Sequence, residues 1–410
     1  MKKNQLPLLL VLGGEEDENW YELCKEFKDK FQVEQRNIYE IGLIDYHGKN
    51  GLSIDLSPSK DPRSKEFSTY KNCLHPTVVI VRMMTRYIDH RLGGTPDFRN
   101  ILYGLYHSNI PLINGYQDLL SETEKPILYG RLKRIQDKVG KDLFPLIPQY
   151  YYPEYELMKP YSTEPYVLKV GFPHAGYGKM LIRDKNEFDD ARRLIALGNT
   201  YSTVEPLIEN QYELRICFIA PDYYRVHKRM SMSWKVNYGM TNFREDTEMT
   251  PRYKYWADLI HETYPKMMTF AIDAIVDKEG NEYILEVNGS SQGFIPEHQE
   301  GDLIHMRDLC IRKIEEVTGK KIFSDEQRQK EERFNNLNKD EKIVYLQKEV
   351  EEIKKENENL EKELNSIKTS ISIKNQSIDN ETNTNYSIIL SFTISFIISS
   401  IVLLFLNHKS

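Results

Sequence analysis

The stretch TFAIDAIVDKEGNEYILEVN, residues 269–288, constrains the fold most. It reads as strand, turn around Gly280, strand. If Asp277 pairs with Glu282, the same register sets Asp273 opposite Glu286. Alternation then puts Asp273, Glu286 and Asn288 on one face, and Phe270, Ile272, Tyr283, Leu285 and Val287 on the other. Facing carboxylates repel, and apolar neighbours imply burial on at least one side. A divalent cation held by three oxygen-donor side chains would relieve the repulsion and bridge phosphates. A solvent-facing acidic hairpin is the plainer alternative.

A second stretch, YVLKVGFPHAGYGK (residues 166–179), delivers Lys169 on a strand. It then turns through Gly171, Gly176 and Gly178 before Lys179 opens the next strand. Glycines let backbone N–H groups approach a phosphate chain, and lysines add point charges. A Walker A loop would end GK[ST] and enter a helix, but here Met180 follows Lys179. Taken alone, the pattern also fits an ordinary turn. Between the two stretches, Val204–Ile208 reads as a strand edge whose free main-chain groups could meet an adenine ring, with an acid beyond it for ribose.

Upstream, Leu6–Leu12 and Thr77–Val81 read as buried strands, Phe98–His107 as a helix and Ile110–Ile113 as a short strand. This βα alternation defines an α/β domain. Lys2 and Lys3 precede only seven apolar residues and no small-x-small site follows, so LPLLLVL reads as a first strand rather than a signal peptide. Further helices are expected over Lys125–Val139 and Asn186–Gly198, and strands over Tyr166–Val170 and Lys179–Ile182.

The last fifth of the chain changes character. Ile343, Val350, Asn357, Leu364 and Ile371 fall at a positions, and Leu346, Ile353, Leu360 and Ile367 at d. A sustained 3.5-residue period predicts a coiled coil, and Asn357 at a central a position favours a parallel dimer. A lone solvated helix is the alternative. A Ser/Asn/Thr-rich linker follows, and then SIILSFTISFIISSIVLLFL, residues 387–406, without a charge. At ~1.5 Å per residue that run spans ~30 Å, the thickness of a bilayer core, so it predicts a transmembrane helix.

Composition narrows the function classes. The chain has 410 residues, with 55 Lys plus Arg against 62 Asp plus Glu and a net charge of −7. That balance argues against a nucleic-acid binder relying on bulk charge. The four scattered cysteines form no CxxC pair, so neither a disulfide scaffold nor a structural zinc site is expected.

Taken in order, these pieces resemble the ATP-grasp superfamily and, more narrowly, the synapsin family. The resemblance runs from about Leu6 to Lys321. It rests on QVEQ and GLSIDL (32–56), KP (125–126), FPLI (144–147), YVLKVGFPHAGYGK, YSTVEPLI, MSMSWKVNYG (230–239), RYKYW (252–256) and LEVNGSSQG (285–293). It implies α/β plus α+β architecture: an N-terminal α/β pre-ATP-grasp domain (1–114) and a two-subdomain ATP-grasp domain (115–322). Beyond it come the coiled coil (323–372), the linker (373–386) and the tail anchor (387–406). Lys125, Lys169 and Lys179 would contact ATP phosphates, Gly176 and Gly178 would shape the loop, and Lys235 would reach the terminal phosphates. Glu205 and Ile208 would offer main-chain groups to adenine, with Glu213 on ribose, where the family usually has Asp. Asp273, where the family has Glu, would hold Mg2+ or Ca2+ with Glu286. Asn288 stands where synapsins usually carry an apolar residue, and it restores the acid-x-Asn pattern of ATP-grasp ligases.

The expected function is therefore ATP binding that orders the glycine-rich loop and regulates assembly of the cytosolic part. The protein would be a homodimer or higher oligomer, anchored by one C-terminal span to a membrane, such as that of a vesicle. No catalytic residue is assigned. The alternative is a carboxylate–amine ligase working through an acyl-phosphate.

Overall fold

The computed structural model describes residues 6–14, 18–45, 52–56, 73–86, 97–172, 177–230 and 243–324, with scattered positions between 344 and 365. The chain divides into two compact units, Met1–Ile322 and Phe323–Ser410.

The first unit opens with β1 (Leu8–Gly13), whose LLLVLG run is buried throughout. An apolar run without alternation suits a strand covered on both faces, as parallel sheets are. A short helix α1 (Trp20–Leu23), β2 (Gln32–Arg36), β3 (Ile41–Asp45), β4 (Leu52–Leu56), β5 (Cys73–Leu74) and β6 (Val78–Arg82) follow. Helix α2 (Arg99–His107) then leads into β7 (Leu112–Ile113). Strands β2, β1, β6 and β7 form a parallel sheet in that order, while β3, β4 and β5 form a small antiparallel one. Leu8, Leu10 and Leu12 pack with Val79, Val81, Leu102 and Leu105 in one core. LPLLLVL is thus a core strand.

Helices α3 (Tyr116–Thr123) and α4 (Lys125–Val139) form the next corner. Pro126, in the first turn of α4, sits where a missing N–H costs nothing. Strands β8 (Tyr150–Tyr152), β9 (Tyr166–Val170) and β10 (Lys179–Ile182), helix α5 (Lys185–Gly198) and β11 (Ser202–Pro206) build the first α+β layer. Its antiparallel sheet runs β10-β9-β11-β8. Asp184 caps α5 by accepting from the N–H groups of Asn186 and Glu187. Phe188, Ala191 and Ile195 on one face of α5 pack on Tyr166, Leu168 and Val204.

Strands β12 (Asn210–Ile219), β13 (Tyr223–Met230) and β14 (Phe243–Asp246), helix α6 (Pro251–Thr263), strands β15 (Thr269–Asp277) and β16 (Glu282–Asn288), and helix α7 (Gln299–Thr318) complete the unit. The second antiparallel sheet runs β14-β13-β12-β15-β16.

Two expectations change here, and a third falls on residues outside those described. First, the hairpin carries a bulge. Asp273 does pair with Glu286, but Ala274 pairs with Ile284, which leaves Leu285 extra. Asp277 closes on Asn281 rather than Glu282, with the Asp277 N–H donating to the Asn281 carbonyl at 3.0 Å. A bulge reverses the side-chain alternation beyond it, so Tyr283 shares the face of Asp277, its hydroxyl 3.3 Å from Asp277 Oδ2, while Ile284 and Val287 are buried. Second, Val204 is not on an edge: β11 lies between β9 and β8. Pairing with β8 ends at Val204, so only the residues after it are free of a partner strand on that side. Third, the described positions between Val344 and Asn365 are helical and exposed, but the a and d positions of the expected coiled coil lie outside the described residues. So do the linker and segment 387–406. Among the described residues no helix is long and apolar enough to cross a membrane.

Candidate nucleotide site

The two α+β layers and helix α4 enclose a cleft of ≈ 480 Å³, open mouth included. Lys125, Lys169, Lys179 and Glu286 line it, with Gln149, Tyr201, Thr203 and Leu285. The bulge brings Leu285 to the same wall as Glu286, where straight alternation would have turned it away. Each lysine arrives on a different support: Lys125 opens α4, Lys169 lies on β9, and Lys179 opens β10 directly opposite Lys169. Gly178 precedes Lys179 at φ +68°, a left-handed conformation that favours glycine.

Each cation has acidic neighbours. Lys125 Nζ is 3.1 Å from Glu286 Oε2 and 3.4 Å from Asn288 Oδ1. Lys169 Nζ is 2.5 Å from Glu205 Oε1, and Gln149 donates to the other oxygen at 2.8 Å. Burial opposes the charge of Lys179, but Glu286, Glu205, Glu213 and Asp273 together hold its pKa above the usual lysine value. Burial likewise works against an ionised Glu286, yet Lys125, Lys179 and Lys169 hold its carboxyl well below the carboxylate range.

Asp273, 4 % exposed, is surrounded. Arg229 Nη2 donates to its Oδ1 at 2.8 Å, Arg215 Nη1 at 3.0 Å, and Asn288 Nδ2 donates to Oδ2 at 2.9 Å. Arg229 also reaches Glu213 Oε2 at 3.1 Å. Burial pushes Glu213 up to about 7 against the pull of Arg229, with Asp273 adding repulsion. The repulsion between Asp273 and Glu286 is thus relieved within the chain, by arginines on one acid and lysines on the other. Among the described residues, Lys125, Lys169, Lys179, Arg215 and Arg229 interleave with Glu205, Glu213, Asp273 and Glu286 in a mostly buried setting. The lysines lining the cleft are the groups a phosphate chain would meet.

Glu286 and Asp273 face each other in register with Asn288 beside them, oxygen donors of the kind a hard divalent cation takes. In this structure Arg215, Arg229 and the Asn288 amide occupy Asp273 and Lys125 occupies Glu286, so a cation would have to replace those contacts, and among the described residues no three His, Cys, Asp or Glu side chains form a metal-binding group.

The structure therefore brings Lys125, Lys169, Gly178, Lys179, Glu205, Glu213, Asp273, Glu286 and Asn288 to one cleft region. Ile208 lies just past β11, half-buried, beyond the end of β8 pairing. Gly176 and Lys235 lie outside the described residues. Arg215, Arg229 and Gln149 were not foreseen. One signal existed: Arg215 is two residues from Glu213 on one strand, and so on its face.

Comparison with known proteins bears on the fold that holds these residues. The solved ATP-grasp ligase PsnB superposes with a TM-score of 0.50 at 12 % identity, covering 74 % of this chain and 98 % of that one. D-alanyl-alanine synthetase A from Vibrio cholerae gives 0.50 at 15 % identity, covering 75 % and 99 %. The macrocyclase MdnC from Microcystis aeruginosa gives 0.50 at 14 %, covering 74 % and 99 %. At such identities the likeness defines the fold, which is ATP-grasp. The family described as "Synapsin, ATP binding domain" matches residues 114–316. Synapsin of Drosophila melanogaster is 29 % identical over 247 residues, 59 % of this chain and 23 % of the fly protein. The chain thus carries a synapsin-like ATP-binding domain, and the match spans about a quarter of the fly protein's length.

Proposed function

We propose that this protein binds ATP with a divalent cation, and that binding regulates assembly of its cytosolic part on a membrane to which the C-terminal segment 387–406 tethers it. One observation carries the nucleotide reading: lysines from three separate elements converge with Glu286 in one cleft, and Asp273 pairs with Glu286 across the hairpin. Lys125, Lys169 and Lys179 would hold the phosphates, and Lys235 the terminal ones. Main-chain groups at Glu205 and Ile208 would meet the adenine, and Glu213 the ribose. Asp273, Glu286 and Asn288 would hold Mg2+ or Ca2+. When bound, the cation neutralises phosphate charge and fixes its geometry.

The second reading is an ATP-dependent carboxylate–amine ligase, and Asn288 favours it: its amide is bonded to Asp273 and stands beside Glu286, as an acid-x-Asn strand requires. ADP release that depends on an added acid and amine would favour this reading. Silence across a broad panel would favour binding alone.

The test of the nucleotide reading is ATP affinity of the full-length protein before and after Lys169→Ala. Losing one charge-assisted contact should weaken binding by about tenfold or more. Unchanged affinity would sink the reading.

A further inference from the structure

Glu122 is a buried carboxylate at the end of α3, and nothing above assigns it a task. All its hydrogen-bond partners lie in the turn that follows β16. The Ser291 hydroxyl donates to Oε1. Burial raises the pKa of this carboxyl, while the Ser291 hydroxyl, Lys125 and the nearby Ser291 and Gly289 backbone pull it back down. The approach is close enough that a Cβ on Gly289 would stand 2.5 Å from Glu122 Oε2. Only glycine lets the chain pass there.

Three residues beyond Glu122 stands Lys125, which touches Glu286 and Asn288. The corner between α3 and α4 therefore meets one continuous segment at four residues: 286 and 288 through Lys125, 291 through its hydroxyl's bond to Glu122, and 289 where Glu122 packs against it. The same turn is held from its other side. Arg82, at the end of β6, donates to the carbonyls of Ser290 and Gln292, the latter at 2.9 Å. Ser290 Oγ donates to the Val81 carbonyl at 2.7 Å, and Gln292 Nε2 to Thr269 Oγ1 at 3.0 Å. Glu18, itself buried, pairs with Arg82.

We propose that Glu122 is a positioning residue of the nucleotide site: by clamping the Gly289–Ser291 turn against the α3–α4 corner, it sets where Glu286 and Asn288 stand relative to Lys125. Through Arg82 the same turn ties that position to the parallel sheet. An apolar side chain would fill this buried place at lower desolvation cost. A carboxyl group does what it would not: it takes the Ser291 hydroxyl and lies close against Gly289, at a fixed distance from Lys125. Because Glu122 contacts the turn beyond β16 rather than Asp273, Glu286 or Asn288, its effect on binding is indirect and selective. It should matter most when the cation engages the strand it holds.

This inference rests on the reading that the cleft binds ATP with a cation. The test is isothermal titration of full-length protein with ATP, with and without Mg2+, for wild type, Glu122→Gln, Ser291→Ala and Ser291→Thr, with Lys169→Ala as a control on the cleft itself. Glu122→Gln and Ser291→Ala should weaken ATP binding about fivefold to tenfold with Mg2+, and much less without it, as expected for one charge-assisted hydrogen bond. Ser291→Thr, which keeps the hydroxyl, should restore affinity. If Glu122→Gln does not fold, the Ser291 pair decides. A lowered melting temperature with Mg2+-dependent affinity unchanged would mean a purely structural role and overturn the inference. If the variants fail this way while Lys169→Ala loses ATP, the inference falls alone; if wild type binds no ATP, both readings fall.

Discussion

Glu213 has Arg229 at 3.1 Å, yet burial lifts its carboxyl to about 7. Its proton is held more tightly in the folded protein than in the unfolded chain, where a glutamate titrates near 4.5. Its contribution to stability is therefore fully present below pH ~4.5 and is lost as pH rises through ~7. The span is worth up to about 3 kcal/mol, at 1.36 kcal/mol per unit. In ligand-free protein, Glu213→Gln should flatten that part of the stability curve, so the variant gains on wild type between pH 5 and 8. Urea melts at several pH values measure this, and parallel curves would show that Glu213 does not titrate in that window. Near neutrality a half-protonated carboxyl can also donate as well as accept, which suits a ribose hydroxyl.

At the scale of elements, the β15–β16 hairpin decides whether the acids meet. The pairing of Asp273 with Glu286 was legible because strand alternation and a short turn fix the register over a few residues. The bulge at Leu285 was not legible, since the sequence there alternates without interruption and the extra residue is stabilised by packing of Ile284 and Val287 in the core. Deleting Leu285 tests this. With the bulge, the deletion leaves both halves of the observed pairing intact, so the protein should still melt cooperatively, with weaker ATP binding from a lost cleft wall. In an unbulged hairpin the same deletion would turn Glu286 or Ile284 to the wrong face and unfold the sheet. Strands β9 and β10 and helices α4 and α5 were read to within a residue, because each is a local pattern bounded by glycine, proline or a capping acid. Arg215 and Arg229 lie 58 and 44 residues from Asp273, and Ser291 lies 169 from Glu122. Partners that far apart meet only through tertiary register, and no local period announces them.

On the scale of the whole molecule, the nucleotide-binding unit ends at Ile322, and the heptad and the apolar run fall in the second unit. The proposed parallel coil predicts dimers of full-length protein by sedimentation in detergent, and a changed state for Asn357→Lys, because a charge replaces the paired amides. A monomeric wild type contradicts it. The proposed orientation predicts that Asn375-Gln376-Ser377 and Asn380-Glu381-Thr382 remain unglycosylated in cells, and glycan there would reverse the topology.

The central claim is that the cleft between the two antiparallel sheets holds ATP. Its most direct test is the melting temperature of the full-length protein titrated with ATP, alone and with Mg2+ or Ca2+. A ligand that binds only the native state must stabilise it, by ~2.7 kcal/mol at a hundredfold excess over Kd. The account predicts a melting temperature that climbs with the logarithm of ATP concentration, more steeply with a divalent cation, and that stays flat for Lys125→Ala at the same concentrations. No shift in wild type at millimolar ATP with either cation would contradict it.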